Sequence, residues 1–229
     1  YTLHPGSGTD VTVAGGFFRT IGDDLTSTTF SLAEEGADGT DDGTDAAIPS
    51  FQGRLDVTTT AASGSTLRFG VSALYGQLKA ESNMGNSEDY SSSGVFGHAA
   101  WSYGKSFGVM GEAFSGSNLG SYFGGILNKS TIDGVAAKGG WGYAWAMATP
   151  KMKLGAGAGV DDPDDADLVY ASVDDSQIRS KNRCIFGNVR YAIVPQVTVG
   201  AEVSHWETTY RNGDTADNLR LQSSFILSF

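Results

Sequence analysis

The chain has 229 residues, a formal net charge of −11 and 32 glycines, and aromatic residues make up 11% of it. Its 15 Lys and Arg residues are scattered, which argues against a nucleic-acid partner because phosphate backbones are bound by clustered cations. The single cysteine excludes an intrachain disulfide, and no run of about 18 apolar residues is present to form a transmembrane helix. Abundant glycine with many aromatic residues is instead typical of curved β-structure.

An alternation of apolar and polar residues with a period of two runs along the whole chain and predicts an all-β protein. No segment has a convincing helical period. The alternating segments are about as long as a tilted membrane-crossing strand, which needs about 9–11 residues. In chain order, the eleven predicted strands are 10–20, 26–34, 51–59, 67–78, 91–101, 107–116, 132–147, 151–160, 182–193, 196–209 and 218–229.

The alternation also assigns a face to each side chain. In strand 67–78, Leu67, Phe69 and Val71 alternate with polar or small residues, so the apolar set is predicted to face lipid. In strand 132–147, the same rule assigns Trp141, Tyr143 and Trp145 to the lipid face and the glycines, alanines and Lys138 to the interior. The pattern as a whole predicts a transmembrane antiparallel up-and-down β-barrel.

The predicted connections alternate between short and long. Short turns are expected near residues 22–24, 61–64, 104–105, 150 and 195, and long polar loops near 36–49, 80–90, 117–131, 161–181 and 211–215. Short turns at one rim and long external loops at the other are typical of outer-membrane barrels. Aromatic residues near the short turns, including Trp101, Tyr103, Trp145 and Tyr191, are predicted to form an interfacial girdle.

Strand parity predicts that further sequence precedes Tyr1. The last strand should end at the short-turn rim, so counting back eleven strands places the start of the first strand at the long-loop rim. Closed bacterial barrels usually have an even number of strands and both termini on the periplasmic side. Residues 1–9 are therefore predicted to be the end of an external loop, and residues 1–229 to form one barrel domain that lacks N-terminal strands.

The C-terminal strand resembles the assembly signal of bacterial outer-membrane proteins, since a terminal phenylalanine, Phe229, follows alternating apolar positions from Leu219. The segment GEAFSGSNLGSYFGGI and the tail FGNVRYAIVPQVTVGAEVSHWETTY with GDTADNLRLQSSFILSF resemble the DcaP-like porins. The resemblance covers about the last half of the chain. It implies a homotrimeric channel of about sixteen strands in the outer membrane of a Gram-negative bacterium, for small and often anionic solutes, with no catalytic residues.

The period places a set of charged and polar residues on the inward face, where they are predicted to line a pore. Basic residues outnumber acidic ones in this set, which would favour the passage of anionic solutes and make ion transport through the pore selective for anions. The alternative is that these charges pair with one another and only fill the wall. The predicted pore-lining residues are Arg54, Asp56, Arg68, Glu112, Lys138, Lys153, Arg190, Glu202, Arg220 and Gln222.

Two acidic runs, residues 36–45 and 161–167, raise the hypothesis of Ca²⁺ binding in external loops, because Ca²⁺ takes 6–8 oxygen ligands. The weak candidate ligands in the first run are Asp38, Asp41, Asp42 and Asp45. The alternative is a solvated acidic loop without a metal. No motif predicts another metal or a cofactor.

Three function classes remain open. A passive porin, with membrane lipid, lipopolysaccharide and small solutes as its partners, explains the alternation, the loop asymmetry and the terminal phenylalanine. An outer-membrane enzyme would need a catalytic group near a rim, and Ser204, His205 and Glu207 are the candidate residues. An adhesin or autotransporter barrel is the third class, and it normally sends a helix or linker through its pore.

Overall fold

A computed structural model describes residues 1–19, 42–81, 87–122, 124–128, 134–168 and 174–229. Within these ranges the chain forms eleven strands, one short helix and two 3-10 turns. The helix, α1, spans Asp42–Asp45, and the 3-10 turns span Leu119–Tyr122 and Gly125–Leu127. The strands are β1 Thr2–Gly6, β2 Thr9–Phe18, β3 Ser50–Thr60, β4 Ser65–Glu81, β5 Ser87–Tyr103, β6 Phe107–Ser117, β7 Ala136–Thr149, β8 Met152–Pro163, β9 Arg179–Val194, β10 Val197–Tyr210 and β11 Thr215–Leu227.

All eleven strands belong to one sheet, in which each strand pairs antiparallel with the next along the chain. This is the up-and-down order that the alternating pattern predicts. Most strands are 10–17 residues long, long enough to cross a bilayer when tilted. In the described part of the chain, no helix is long and apolar enough to cross a membrane.

The two faces of the sheet differ in character, and residues paired across an antiparallel ladder share a face. One face, the outer face, presents large apolar side chains to the surroundings, such as Phe69 at 46%, Val95 at 60% and Ile185 at 63% exposure. The opposite, inner face carries the charged side chains of the strand centres and is partly covered by the 3-10 turns, whereas charges on the outer face, such as Lys138, Arg183 and Glu207, lie toward one rim. An exposed apolar face on nearly every strand fits contact with lipid.

Strand β7 lies the opposite way round from the prediction. Ala113 on the outer face pairs with Gly140, and Gly142 and Ala144 pair with Ala158 and Ala156 of the outer face of β8. The small residues of β7 are therefore outside. Its aromatic residues and Met147 are inside, and Lys138, which pairs with Ser115, lies on the outer face.

The strand ends confirm the predicted asymmetry of the connections. Short turns join β1 to β2, β3 to β4, β5 to β6, β7 to β8 and β9 to β10 at one rim, and the longer connections lie at the other rim. The exception is the predicted long loop near 211–215, which is a turn of four residues between β10 and β11. The prediction of a loop over residues 1–9 is wrong, because Thr2 and Leu3 pair with Thr12 and Val11 and form strand β1. The predicted turn near 22–24 and strand 26–34 lie outside the described residues, and β2 pairs directly with β3.

Two small buried clusters lie near the rim of the longer connections. Leu78, Ala80 and Tyr90 form one at the ends of β4 and β5. The other contains Val135, Leu168 and Ile178, which come from the connections that flank β7, β8 and β9. The strands themselves have no common apolar core in the described residues. In the described residues, the buried apolar side chains of both clusters therefore lie near this rim.

Candidate functional site

The inner face brings together nine of the ten residues predicted to line a pore. Asp56 pairs with Gly70, Gly70 with His98, and His98 with Glu112, so this one row crosses four strands on the inner face. Lys138 does not belong to this inner-face set, because its pairing with Ser115 places it on the outer face. The residues on the inner face are Arg54, Asp56, Arg68, Glu112, Lys153, Arg190, Glu202, Arg220 and Gln222.

A charge cluster on β3, β4 and β5 is centred on Asp56, which is only 5% exposed. Arg54 donates to its carboxylate through Nε, and through Nη2 at 3.1 Å. Arg68 Nε donates at 3.2 Å and His98 Nε2 lies 2.7 Å from Asp56 Oδ1. Both guanidinium groups remain nearly half exposed, so they present positive charge to the interior while Asp56 holds them in place.

Two further cations lie side by side on the inner face of β8 and β9. Lys153 and Arg190 are direct register partners, and Lys153 Nζ sits 3.9 Å from the centre of the Trp145 ring. This cation–π contact holds the lysine chain against the wall. Nearby, Asn188 donates to Glu202 at 3.3 Å, so that carboxylate has a neutral partner and no cation within ion-pair distance in the described chain.

Aromatic side chains cover the centre of this inner wall. The Tyr143 ring of β7 and the Phe186 ring of β9 are nearly parallel, at 12°, with centroids 5.9 Å apart. They lie over the inner face of β8, where Gly155 and Gly157 provide the space. The Tyr143 hydroxyl donates to Asn188 at 3.1 Å. Gly155 and Gly157 are thus the small inner-face residues that leave room for these rings, whose position was not predicted.

A stretch between β6 and β7 folds onto the inner face. We name Asn118, Leu119–Tyr122, Gly125–Leu127 and Asn128 the inner segment. Leu119 packs against the inner-face glycines Gly94 and Gly116. The Ile126 amide donates to Asp161 Oδ2, on the inner face of β8, at 3.0 Å. The segment therefore occupies space between the wall and the interior, near the rim of the longer connections.

Three inner-face carboxylates were missed by the prediction, and one of them, Glu88, pairs with Ala80 near the ends of β4 and β5. Asp10 lies opposite Thr58 on the inner face and is 2.5 Å from His4 Nδ1. Asp161 lies beneath the inner segment. The start of β2 and the acidic run at the end of β8 gave no clean alternation, so their faces could be found only through the register.

The described residues do not include a set of ligands for the hypothesised Ca²⁺ site. Asp38 and Asp41 lie outside them, while Asp42 and Asp45 lie in α1. In the second acidic run, Asp162 pairs with Lys181 at 3.0 Å. Across the described ranges, no group of three or more His, Cys, Asp or Glu side chains is placed to hold a metal ion. Ca²⁺ binding stays a prediction.

The three candidate residues for an enzyme do not meet. His205 and Glu207 lie on the outer face. His205 Nε2 is 3.4 Å from Asp217 Oδ2, and Glu207 Oε1 is 3.7 Å from Arg183 Nη1. Ser204 lies on the inner face, is 3% exposed, and accepts a hydrogen bond from Trp206 Nε1. A nucleophile and its base must lie within hydrogen-bond reach, and opposite faces of one strand prevent this. Cys184 lies on the inner face as a free thiol.

Comparison with known proteins identifies a fold. No protein-family model and no curated protein matches the chain. The crystal structure of the outer membrane channel DcaP of Acinetobacter baumannii matches the whole chain with a TM-score of 0.62 and 15% sequence identity. The chain shares its fold with an outer-membrane channel. The fold expected from the DcaP-like resemblance is thereby confirmed.

The extent of this match is unequal for the two proteins. The alignment covers 100% of this chain and 61% of the DcaP channel. At 15% identity the likeness concerns the fold alone. The strand number of about sixteen and the pore-lining roles of individual residues stay predictions.

Proposed function

We propose that this protein is an outer-membrane porin that passively conducts small hydrophilic solutes, with a preference for anions. The observation that carries the proposal is the division of one continuous up-and-down sheet into an exposed apolar outer face and a charged inner face. Such a sheet is stable in a bilayer only if its outer face meets lipid and its inner face meets water. The shared fold with an outer-membrane channel supports the same function.

The anion preference is supported by how the inner charges are arranged. Lys153 and Arg190 lie next to each other without an ion-pair partner among the described residues. Arg54 and Arg68 share one carboxylate. Of the three carboxylates that were not predicted, Asp161 lies beneath the inner segment, Asp10 contacts a histidine, and Glu88 lies near the rim of the longer connections. Carboxylates on the inner face are about as numerous as cations, so the proposed preference depends on the local, unpaired positive charge of Lys153 and Arg190 and not on the net charge of the face.

Conductance in planar bilayers tests the channel and its ion preference together. We expect the purified protein to form open pores whose reversal potential under a salt gradient indicates anion preference. R190Q and R220Q should each move the reversal potential toward cation preference, because each removes one inner-face cation. K138Q is the matched control. It makes the same change in charge on the outer face, and its reversal potential should equal that of the wild type.

Either of two results would contradict this proposal. A purified, folded protein that never conducts would remove the porin function. A wild-type pore that prefers cations, or equal shifts in K138Q and R190Q, would remove the anion preference and the role of the inner wall.

The proposal also includes a homotrimer embedded in lipid and lipopolysaccharide of the bacterial outer membrane. It is supported by the outer face of β7 and β8, which carries small side chains that allow close approach of a neighbouring barrel. These residues are Gly140, Gly142, Ala144, Ala146, Ala156 and Ala158. The apolar outer faces of the other strands are left for lipid.

A bulky side chain on the small outer face tests the oligomer. We expect A144W to lower the molar mass measured by light scattering in mild detergent from three protomers to one, because tryptophan prevents close packing. V71W, on an outer face that already carries large residues, should keep three protomers. A wild-type monomer, or three protomers in both variants, would contradict the proposed interface.

A further inference from the structure

The outer face of β8, β9 and β10 changes from apolar to charged near the rim of the longer connections. Strand β9 carries Lys181 and Arg183 near its beginning, whereas its outer positions from Ile185 to Ile193 are uncharged. On the strands beside it, Arg183 lies opposite Glu207 of β10. We name Asp162, Lys181, Arg183 and Glu207 the outer charged patch.

The length of the uncharged stretch of β9 places the outer charged patch at the level of lipid headgroups. The outer positions from Ile185 to Ile193 span roughly 26 Å along the strand at about 3.3 Å per residue. At the strand tilt of about 35–45° that is usual in outer-membrane barrels, this stretch crosses roughly 20 Å of membrane, close to their apolar band of about 25 Å. Lys181 and Arg183 lie just beyond it, at the leaflet that meets the rim of the longer connections.

Both basic side chains of the patch keep hydrogen-bond donors for a ligand. The Arg183 side chain is 58% exposed, and its contact with Glu207 at 3.7 Å is longer than a hydrogen bond. Lys181 Nζ lies 3.0 Å from Asp162 Oδ1, and its other N–H groups have no partner among the described residues. An arginine fork binds a phosphate through two parallel hydrogen bonds, and a lysine adds a point charge. Their Cα atoms are about 7 Å apart on one face, so one phosphate group can reach both side chains.

The carboxylates of the patch decide which source of phosphate fits it. Asp162 and Glu207 balance the two cations, so the patch has no net charge that would attract a free anion from solution. Directly below it on the same face, Ile185 is 63%, Val203 45% and Leu219 68% exposed. Acyl chains packed on these side chains hold an attached phosphate at the patch at a high effective concentration. A lipid phosphate therefore fits the patch better than inorganic phosphate.

We propose that the outer charged patch binds a phosphorylated lipid of the adjoining membrane leaflet, with its phosphate at Lys181 and Arg183 and its acyl chains on the apolar face below. This inference rests on the membrane location in the proposed function and adds a defined lipid site to it. Lys138 of β7 lies beside the small residues assigned to a neighbouring protomer and is not part of the site. The site lies outside the sheet, away from the inner face that solutes meet.

Native mass spectrometry of the purified protein, with lipid A that carries two phosphates or none, tests the site. We expect the wild type to bind the phosphorylated form about tenfold more tightly. K181Q with R183Q should remove most of this preference, because both donors to the phosphate are lost. R183K should keep part of it, because lysine retains the charge but not the paired hydrogen bonds. K105Q makes the same change in charge at an exposed turn of the opposite rim, and it should bind like the wild type.

Inorganic phosphate distinguishes a lipid site from a site for free anions. We expect millimolar inorganic phosphate to leave the phosphorylated lipid A bound, because the lipid is also held by its acyl chains. Displacement of the lipid at that concentration would show a site for free phosphate and overturn the assignment to a lipid.

The remaining outcomes separate this inference from the function on which it rests. Equal affinities of the wild type and of K181Q/R183Q for the phosphorylated lipid, or an equal loss in K105Q, would overturn the site. If the double variant does not fold, the wild type decides, because equal affinity for both forms of lipid A excludes recognition of the phosphate. A wild type that binds phosphorylated lipid A but does not conduct removes the porin function and leaves the lipid site. A conducting wild type without a preference for the phosphorylated form does the reverse.

Discussion

Replacement of Asp56 by alanine is expected to destabilise the folded protein and to strengthen its preference for anions. The Asp56 carboxylate receives hydrogen bonds from Arg54 and Arg68 and contacts His98, and almost no solvent reaches it. Without it, two guanidinium groups on neighbouring strands repel each other with no anion between them. Loss of one partner from a buried ion pair costs about 3–5 kcal/mol, and since both arginines are nearly half exposed we expect about 2 kcal/mol.

Urea unfolding of the protein in lipid vesicles, followed by tryptophan fluorescence, measures the stability change. D217A is the matched control. It removes a strand carboxylate that is 72% exposed and 3.4 Å from His205, and it should change the free energy of unfolding little. D56N should lie between D56A and the wild type, because its amide oxygen still accepts hydrogen bonds. Equal unfolding curves for D56A and D217A would show that the cluster adds no stability.

The second large effect is expected from a side chain at Gly155. A Cβ added there would lie within 2.6 Å of three atoms of the Tyr143 side chain. G155V therefore forces the Tyr143 ring away from Phe186 and from its hydrogen bond to Asn188. Overpacking of this kind costs about 1–3 kcal/mol, and we expect about 2 kcal/mol in the same unfolding measurement.

A double variant shows whether the steric clash is the cause. Y143A removes the atoms that the new side chain would meet, so G155V should cost less in the Y143A background than in the wild type. G142A is the control on the adjacent strand, because a Cβ at Gly142 meets nothing within 4 Å. A cost of G155V that is the same with and without the tyrosine ring would contradict the packing described for this wall.

Strand positions could be predicted from the sequence because a period of two is a local property. Leu219, Leu221 and Phe225 reveal their common face without reference to any other strand, and β11 has that arrangement. The first strand could not be found in this way. Residues Thr2–Gly6 include a proline and have no clean alternation, and their strand exists through pairing with β2.

The orientation of β7 shows what alternation leaves undetermined. The pattern establishes that Trp141, Tyr143 and Trp145 share a face, but it does not say which face meets lipid. The assignment depended on the assumption that the larger apolar residues lie outside. In the structure the glycines of β8 provide space for rings inside, and this complementarity between two strands is not visible in either strand alone.

The residues of the candidate site could also be predicted only in part from the sequence. The inward positions of Arg54, Asp56 and Arg68 follow from the alternation, because all three lie in regular strands. The contact of His98 with Asp56 joins residues 42 positions apart and depends on the register of three strands. The inner segment was predicted only as a long polar loop, since its path depends on Asn118 and on Asp161, which belongs to a distant strand.

The short-turn rim has a consequence for how the protein folds. Each hairpin at this rim bonds to the next one: Thr60 donates to Gly8, Gly104 to Gly64, Met147 to Ser106, Ala192 to Lys151, and Ser228 to Gln196. Backbone hydrogen bonds thus link successive hairpins along this rim. The residue next to the terminal phenylalanine can complete its bond only after the preceding hairpin has formed. This order suits assembly of the sheet hairpin by hairpin.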